Sequence, residues 1–203
     1  MKSIKKNFMY NVAYQILLIL LPLITTPYIS RVLGSDGVGT YAYTYTIANY
    51  FMLAAMLGVK NYGNRSIAAV RDNKELLGKT FWQIYGLQFW CSIIVLAAYL
   101  IFVFVFEKDY RTIALIQGIY VFSGLLDISW FFFGMEEFKI TVVRNIVVRL
   151  ISLACIFIFV RSSADLWKYT LIMTMGIFCS QGYLWFYIRR FVNWCRPNRK
   201  DMQ

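Results

Sequence analysis

The sequence contains no histidine, few acidic residues and no cysteine pair at metal-ligand spacing. Of its 203 residues, 21 are Lys or Arg, whereas 10 are Asp or Glu and none is His. Histidine is the commonest general base and metal ligand, so its absence argues against most hydrolytic and metal-dependent chemistry. The four cysteines are scattered, which disfavours a disulfide framework: they are Cys91, Cys155, Cys179 and Cys195. We therefore predict no metal and no cofactor.

Charged residues are scarce as well, at 15% of the chain, whereas 60% of the residues are hydrophobic and 19% are aromatic. A soluble domain is about a quarter charged and about half apolar, so this apolar excess does not fit a water-soluble fold with one core. The net charge of +11 would suit a nucleic-acid partner. However, the cations lie in short clusters between long uncharged runs, as in membrane proteins. We predict an integral membrane protein with no nucleic-acid partner.

Six apolar runs are long enough to form membrane-spanning helices, because a hydrocarbon core of roughly 30 Å needs about 20 helical residues. The predicted spans are 7–30, 38–59, 80–106, 112–135, 140–160 and 169–188. The fifth is the weakest, since Arg144 and Arg149 lie within it. The predicted fold class is an all-α integral membrane protein. Residues 1–190 would form a six-helix transmembrane lobe, and residues 191–203 would form a basic cytoplasmic tail.

The distribution of basic residues predicts the orientation of the chain. With a cytoplasmic N-terminus, 16 of the Lys and Arg residues face the cytoplasm and 5 face outward. The positive-inside rule favours this orientation, so both termini are predicted to be cytoplasmic. A cleaved signal peptide is the alternative for residues 1–30, but the apolar run is too long for one and lacks an A-x-A site.

Two connections between the predicted spans are informative. Three glycines surround Ser35 and Asp36, which predicts a tight turn with positive φ between antiparallel helices. The G-x-G pair in this turn is not a nucleotide fingerprint, because no strand precedes it and the third glycine is missing. The segment 61–79 mixes apolar and basic residues. It predicts either an amphipathic helix on the inner membrane surface or a solvated loop.

Asp127 and Arg149 are the residues that most strongly indicate a functional site. A charge at membrane depth costs at least about 2.5–3.5 kcal/mol and usually faces a cavity or a partner. Each residue lies 11 positions from residue 138, the centre of the turn between the fourth and fifth spans. Both are therefore expected at similar depth, either paired with each other or facing one polar cavity. Arg144 is nearer the end of its span, and we expect it to snorkel to the headgroups.

Uncharged polar residues and prolines add weaker signals. Pro22 and Pro27 interrupt the first span, which is typical of a transport pathway but also of a simple kink. Several polar side chains within the spans would suit a hydrated passage, among them Gln88, Gln117, Gln181, Tyr41, Tyr43, Tyr45 and Tyr50.

Three stretches of the sequence resemble the bacterial polysaccharide flippases. They are TTPYISRVLGSDGVGTYAYTYTIANYF, LGVKNYGNRSIA and DISWFFFGMEEFKITVVRN, in an order and spacing that extend over nearly the whole chain. These flippases belong to the multidrug/oligosaccharidyl-lipid/polysaccharide exporter superfamily and export O-antigen, capsule and teichoic-type repeat units. The resemblance implies a multi-pass transporter of the bacterial inner membrane. It would move an undecaprenyl-diphosphate-linked oligosaccharide from the inner to the outer leaflet by alternating access.

The resemblance also suggests which residues bind the substrate. Arginines in the central cationic cavity of this family are expected to bind the lipid diphosphate, a role that suits a forked cation. On this chain we predict that Arg149 does so inside the membrane, with Arg31 and Arg65 at opposite mouths. Asp127 would orient Arg149 or serve as a coupling site. The expected partners are the lipid-linked oligosaccharide and membrane lipids.

The family usually carries about twice as many spans in two similar lobes, so this chain resembles the N-terminal lobe alone. Two copies would then assemble, a second polypeptide would supply the other lobe, or the chain would be a truncated, non-transporting product. A membrane enzyme is disfavoured because histidine and D-x-D carboxylate pairs are absent. The residues also leave open a channel, an interaction protein or a multidrug exporter, although a multidrug exporter would favour an acidic cavity.

Overall fold

The computed structural model of the chain describes residues 2–192, and every regular element in this range is helical. The α-helices are α1 (Lys2–Met56), α2 (Val59–Val70), α3 (Lys74–Val105), α4 (Arg111–Ser123), α5 (Ser129–Gly134), α6 (Phe138–Phe159) and α7 (Leu166–Ile188). Short 3-10 turns, Gly124–Leu126 and Ser163–Asp165, follow α4 and precede α7. The all-α prediction is confirmed. Most of the predicted basic tail, residues 193–203, lies outside the described residues.

Within the described residues, four helical segments are long and apolar enough to cross a membrane. They are Lys74–Val105, Arg111–Gly134, Lys139–Phe159 and Ser163–Ile188, and they correspond to the third to sixth predicted spans. On α3, Leu87, Ile94 and Ile101 are exposed and lie seven residues apart, so they form a stripe along one face. A long exposed apolar stripe is unfavourable in water and suits contact with lipid.

Helix α1 contains the first predicted span, 7–30, and the second, 38–59, up to Met56, joined at a sharp kink. Gly34 has φ 71° and ψ 177°, whereas the residues on both sides of it are helical. A straight helix of these 55 residues would be about 82 Å long. However, Thr25 before the kink and Tyr41 after it line the same cavity, so the two halves of α1 converge. The predicted turn therefore consists of one glycine with positive φ, Gly34. Gly37 and Gly39 belong to the helix that follows it.

The kink is anchored to the junction of α6 and α7. Ile29 and Leu33 pack against Ile156 and Val160 in a buried cluster. The Tyr28 hydroxyl donates a hydrogen bond of 2.7 Å to the carbonyl of Val160, which ends α6. We call this end of the bundle the Gly34 end, and the opposite end, where α2 lies, the α2 end.

The fourth predicted span is broken in its middle. After α4 and the 3-10 turn, Asp127 leaves the helical region (φ −75°, ψ 89°), and α5 begins at Ser129. The Asp127 carboxylate accepts hydrogen bonds from the Ser129 amide (3.1 Å) and hydroxyl (2.5 Å). The indole Nε1 of Trp185 in α7 donates to the Leu126 carbonyl (3.1 Å). A discontinuous helix at membrane depth is tolerated only where protein groups bind the freed backbone in this way.

Gln88 of α3 makes three of the hydrogen bonds that stabilise this break. Its side chain is fully buried, and its Nε2 donates to the carbonyls of Gly124 (2.7 Å) and Asp127 (2.9 Å). Its Oε1 accepts a hydrogen bond of 2.9 Å from the Trp130 indole. All three bonds join α3 to the broken segment, so Gln88 is a structural residue rather than part of a hydrated passage.

The segment after the second predicted span forms the short helix α2. Val59, Gly63 and Ile67 are buried and lie four residues apart, so one face of α2 packs on the protein. A Cβ atom at Gly63 would lie 2.5 Å from the Trp130 ring, and one at Gly134 would lie 2.7 Å from Ile67. Of the two interpretations of segment 61–79, a helix rather than a solvated loop is the correct one for residues up to Val70, and its place on the inner membrane surface stays a prediction. Its buried face meets α5.

The close contact at Gly63 gives a test of this packing. In Gly63→Ala the added methyl group would overlap the buried Trp130 ring, so α2 and α5 must separate. We expect a loss of about 1–3 kcal/mol in unfolding free energy, measured as a lower Tm of the detergent-solubilised protein. Gly86→Ala in α3 is the matched control, because nothing lies within 4 Å of its added Cβ and alanine favours the helix. Equal Tm values for the two variants would contradict the packing described.

Candidate functional site

A cavity of about 520 Å³ lies between both halves of α1, α5, α6 and α7. Its lining on α6 extends from Thr141 to Ile156, which is about 22 Å along the helix axis. On α7 the lining extends from Tyr169 to Gln181, which is about 18 Å. The cavity therefore covers more than half of a hydrocarbon core of roughly 30 Å.

Three cations and one carboxylate line this cavity, namely Lys60, Arg144, Arg149 and Asp127. The formal charge of the lining is therefore +2. Among residues 2–192 no group of three or more His, Cys, Asp or Glu side chains is arranged to hold a metal ion. The charge of the cavity suits an anionic ligand of moderate size.

Arg144 is buried, with 7% of its surface exposed, and it binds α7. Its Nη1 donates to the Ser180 carbonyl (2.9 Å), and its Nη2 donates to Asn145 Oδ1 (2.9 Å). A longer contact of 3.4 Å joins Nη1 to Gln181 Oε1. The prediction that Arg144 snorkels to the headgroups is therefore wrong, because its guanidinium is held inside the bundle by acceptors on the neighbouring helix.

Asp127 and Arg149 both line the cavity, so the shared cavity is the correct one of the two arrangements expected for them. The carboxylate of Asp127 is almost fully buried, and its Oδ2 lies 3.3 Å from the Lys60 ammonium. Arg149 is exposed within the cavity and forms no ion pair or hydrogen bond with the described residues. The guanidinium of Arg149 is therefore available to a ligand.

Arg31 and Arg65 are exposed side chains that do not line the cavity. Arg31 lies three residues before Gly34 on α1, and Arg65 lies on α2, so the two residues are at opposite ends of the bundle. Their role at the two mouths remains a prediction.

Tyrosine side chains form another part of the lining. Tyr41, Tyr45 and Tyr169 line the cavity, whereas Tyr43 and Tyr50 of the same α1 segment do not. The centroids of Tyr41 and Tyr169 are 4.8 Å apart, and those of Tyr41 and Tyr45 are 5.8 Å apart. Of the tyrosines predicted in this span, those on one helical face, four positions apart, therefore line the cavity, and its role as a hydrated passage stays a prediction.

The sequence did not identify Lys60, Arg144, Ser129 and Tyr169 as residues of the site. Lys60 is one of the 16 basic residues that the charge distribution places on the cytoplasmic side. The positive φ values of Leu57 and Gly58, just before it, turn the chain into α2. The signal available for Ser129 was its place two residues after the intramembrane Asp127. Such a serine is well placed to donate to a preceding carboxylate. No local pattern marks Tyr169.

Comparison with known proteins gives a consistent result. The chain is 27% identical over 167 residues to a protein of Escherichia coli (strain K12) named "Putative O-antigen transporter", which covers 81% of this chain and 40% of that protein. A protein of the same name from Shigella dysenteriae is 27% identical over 178 residues, covering 84% of this chain and 43% of that protein. The chain thus spans about two fifths of the length of these curated relatives. No solved structure matches the chain significantly.

The sequence profile of a family described as "Polysaccharide biosynthesis protein" matches residues 4–202, which is nearly the whole chain. With its long apolar helices and these relatives, the chain is a multi-pass protein of the bacterial inner membrane. The resemblance seen in its short motifs is confirmed, and the chain belongs to the polysaccharide biosynthesis protein family.

Proposed function

We propose that the chain moves an undecaprenyl-diphosphate-linked oligosaccharide from the inner to the outer leaflet for surface polysaccharide synthesis. The observation that carries this proposal is the cavity, which is lined by three cations and follows α6 for about 22 Å. A lipid diphosphate is an anion that must be sheltered from hydrocarbon on its way across. The names of the two relatives, both O-antigen transporters, support the same class of substrate.

In this proposal the two arginines of α6 bind the diphosphate. Arg149 is exposed in the cavity, and Arg144, held by the Ser180 carbonyl, lines the same cavity. A guanidinium offers paired donors to phosphate oxygens and stays charged when it is partly buried. The Lys60 ammonium is shared between Asp127 and the cavity, so an incoming phosphate would compete with the carboxylate for it. Such competition would couple substrate binding to the broken helix that contains Asp127.

The proposed membrane arrangement has six spans with both termini in the cytoplasm. The two halves of α1 on either side of Gly34 would supply two spans beside the four long apolar helices. The distribution of Lys and Arg supports this orientation, which places the α2 end in the cytoplasm. Because the relatives are more than twice as long, we also propose that a second lobe closes the cavity. A second copy of this chain can supply that lobe.

The charge of the cavity disfavours export of organic cations, the main rival within the superfamily. Lys60, Arg144 and Arg149 outnumber the one carboxylate, so a cationic drug would be repelled from the lining. The names of the family and its relatives indicate a transporter rather than an enzyme.

Complementation in a bacterium that lacks its own polysaccharide flippase tests the proposal. We expect the 203-residue chain to restore surface polymer and to lower the lipid-linked oligosaccharide on the inner leaflet. Arg149→Ala should reduce export about tenfold or more, because it removes a charge-assisted phosphate contact without removing a structural one.

Arg161→Ala is the matched control, since Arg161 is exposed at the Gly34 end and does not line the cavity. It should export polymer as the wild type does. A wild-type chain that inserts in the membrane but leaves the lipid-linked oligosaccharide inside would contradict the proposal.

A further inference from the structure

We infer that Tyr41, Tyr45 and Tyr169 form a sugar-binding platform in the cavity, next to its cationic part. This inference rests on the proposed function, because it assigns the part of the lining that would hold the oligosaccharide rather than the diphosphate. All three side chains line the cavity and are partly exposed there.

The three rings are held in place by their neighbours. Tyr41 stacks nearly parallel to Tyr45, with 7° between the ring planes, and meets Tyr169 edge to face at 65°. Tyr45 also contacts Tyr120, with 5.4 Å between centroids, and the Tyr120 hydroxyl donates to Asn49 Oδ1 (3.0 Å). A platform fixed in this way loses little side-chain entropy when a ligand binds.

The tyrosines and the arginines occupy successive levels along the same groove. A Cβ atom at Gly176 of α7 would lie 2.7 Å from Ser152 and 3.5 Å from Val148 on α6, so Gly176 marks the level of Arg149. Tyr169 lies seven residues from Gly176 toward the Gly34 end, which is about 10 Å along the helix. Arg144 contacts Ser180, four residues beyond Gly176 in the opposite direction. A ligand with an anionic group at the arginines would therefore extend its next groups toward the tyrosines.

The chemistry of these rings favours a carbohydrate over the other parts of the substrate. A sugar ring has a flat face of C–H groups and a rim of hydroxyls, and a tyrosine offers an apolar face with a hydroxyl at its edge. A polyprenyl tail has no polar groups that could form hydrogen bonds with the tyrosine hydroxyls. An organic cation would be attracted to the rings but repelled by the +2 lining. The platform would thus contribute to the choice of sugar.

Binding to two related lipids tests the inference. The purified chain in lipid nanodiscs would be titrated with undecaprenyl diphosphate and with the same lipid carrying one N-acetylglucosamine. We expect the wild type to bind the glycosylated lipid about fivefold more tightly. Tyr41→Leu and Tyr169→Leu should remove this difference and leave the affinity for the bare diphosphate unchanged. Arg149→Ala should lower the affinity for both lipids by a similar factor.

Tyr50→Leu is the matched control, because Tyr50 is 67% exposed on α1 and does not line the cavity. It should keep the preference for the glycosylated lipid, and Tm values show which variants are folded. Equal affinity of the wild type for both lipids would overturn the inference and leave the proposed function standing. Failure to bind either lipid would overturn both.

Discussion

Replacement of Gln88 by leucine is expected to destabilise the protein by about 3 kcal/mol or more. The variant loses three hydrogen bonds, to Gly124, Asp127 and Trp130, and leaves the Asp127 carbonyl and the Trp130 indole N–H without these partners. The Gly124 carbonyl keeps its bond from the Asp127 amide. Each unpaired buried polar group costs about 1–3 kcal/mol. Leucine fills a similar volume, so the effect reports the hydrogen bonds rather than a cavity. In a protein of this size the Tm should fall by about 10 °C in a thermal unfolding measurement in detergent.

Gln117 of α4 provides a matched control. Like Gln88 it is a fully buried glutamine in a long apolar helix. Its side-chain amide, however, has a loose contact with the Tyr41 hydroxyl and no well-formed hydrogen bond among the residues that the structure describes. Gln117→Leu removes no well-formed hydrogen bond, so its Tm should fall far less than that of Gln88→Leu. If Gln117→Leu were the more damaging variant, the role assigned to Gln88 would be wrong.

Loss of the Gln88 bonds should also impair transport, because they hold the backbone that carries Asp127. The Asp127 carboxylate lies within reach of the Lys60 ammonium only while the break after α4 keeps its present shape. We therefore expect export in the complementation assay to fall in Gln88→Leu even at temperatures where the variant stays folded.

The break itself shows why hydropathy predicts spans but not their interruptions. The apolar run 112–135 correctly indicated a membrane-crossing segment, which the structure contains as Arg111–Gly134. The groups that stabilise the break lie far away in sequence, since Gln88 is 36 residues before Gly124 and Trp185 is 59 residues after Leu126. A local pattern carries no information about such partners. The sequence signal at this break was Asp127, because a charge at membrane depth is costly.

The kink in α1 was predicted more fully because its cause is local. Three glycines within six residues indicated a turn with positive φ, and Gly34 has a positive φ. The length of the turn was overestimated, since Ser35 and Asp36 continue the helix. How many residues leave the helical conformation depends on tertiary packing, here the contact of Ile29 and Leu33 with the end of α6.

The site residues illustrate a similar limit. Counting residues from the turn gave the depth of Asp127 and Arg149 and brought both to one cavity. Depth does not give the rotation of a helix or the identity of the facing side chains. The partner of Asp127 is Lys60 from α2, and the acceptor for Arg144 is the Ser180 carbonyl of α7. Neither contact can be read from the sequence of one span.

The two arginines of α6 should therefore respond differently to the same substitution. Arg144→Ala removes a guanidinium that joins α6 to Ser180 on α7, and hydrogen bonds from a charged donor are worth about 1.5–3 kcal/mol each. We expect its Tm to fall by about 5–10 °C and export to be lost. Arg149→Ala removes a side chain with no such bond, so its Tm should stay near that of the wild type while export falls as strongly.

A third variant separates charge from geometry at the same position. Arg144→Lys keeps the positive charge, but one ammonium cannot reproduce the fork that reaches both Ser180 and Asn145. We expect Arg144→Lys to recover part of the export that Arg144→Ala loses. Its Tm should stay close to that of Arg144→Ala. Thermal unfolding and export measured on the same preparations check both statements. A wild-type Tm for Arg144→Ala would mean that this side chain extends to the headgroups in the membrane, as its place in the sequence suggests, and would contradict its position in the cavity wall.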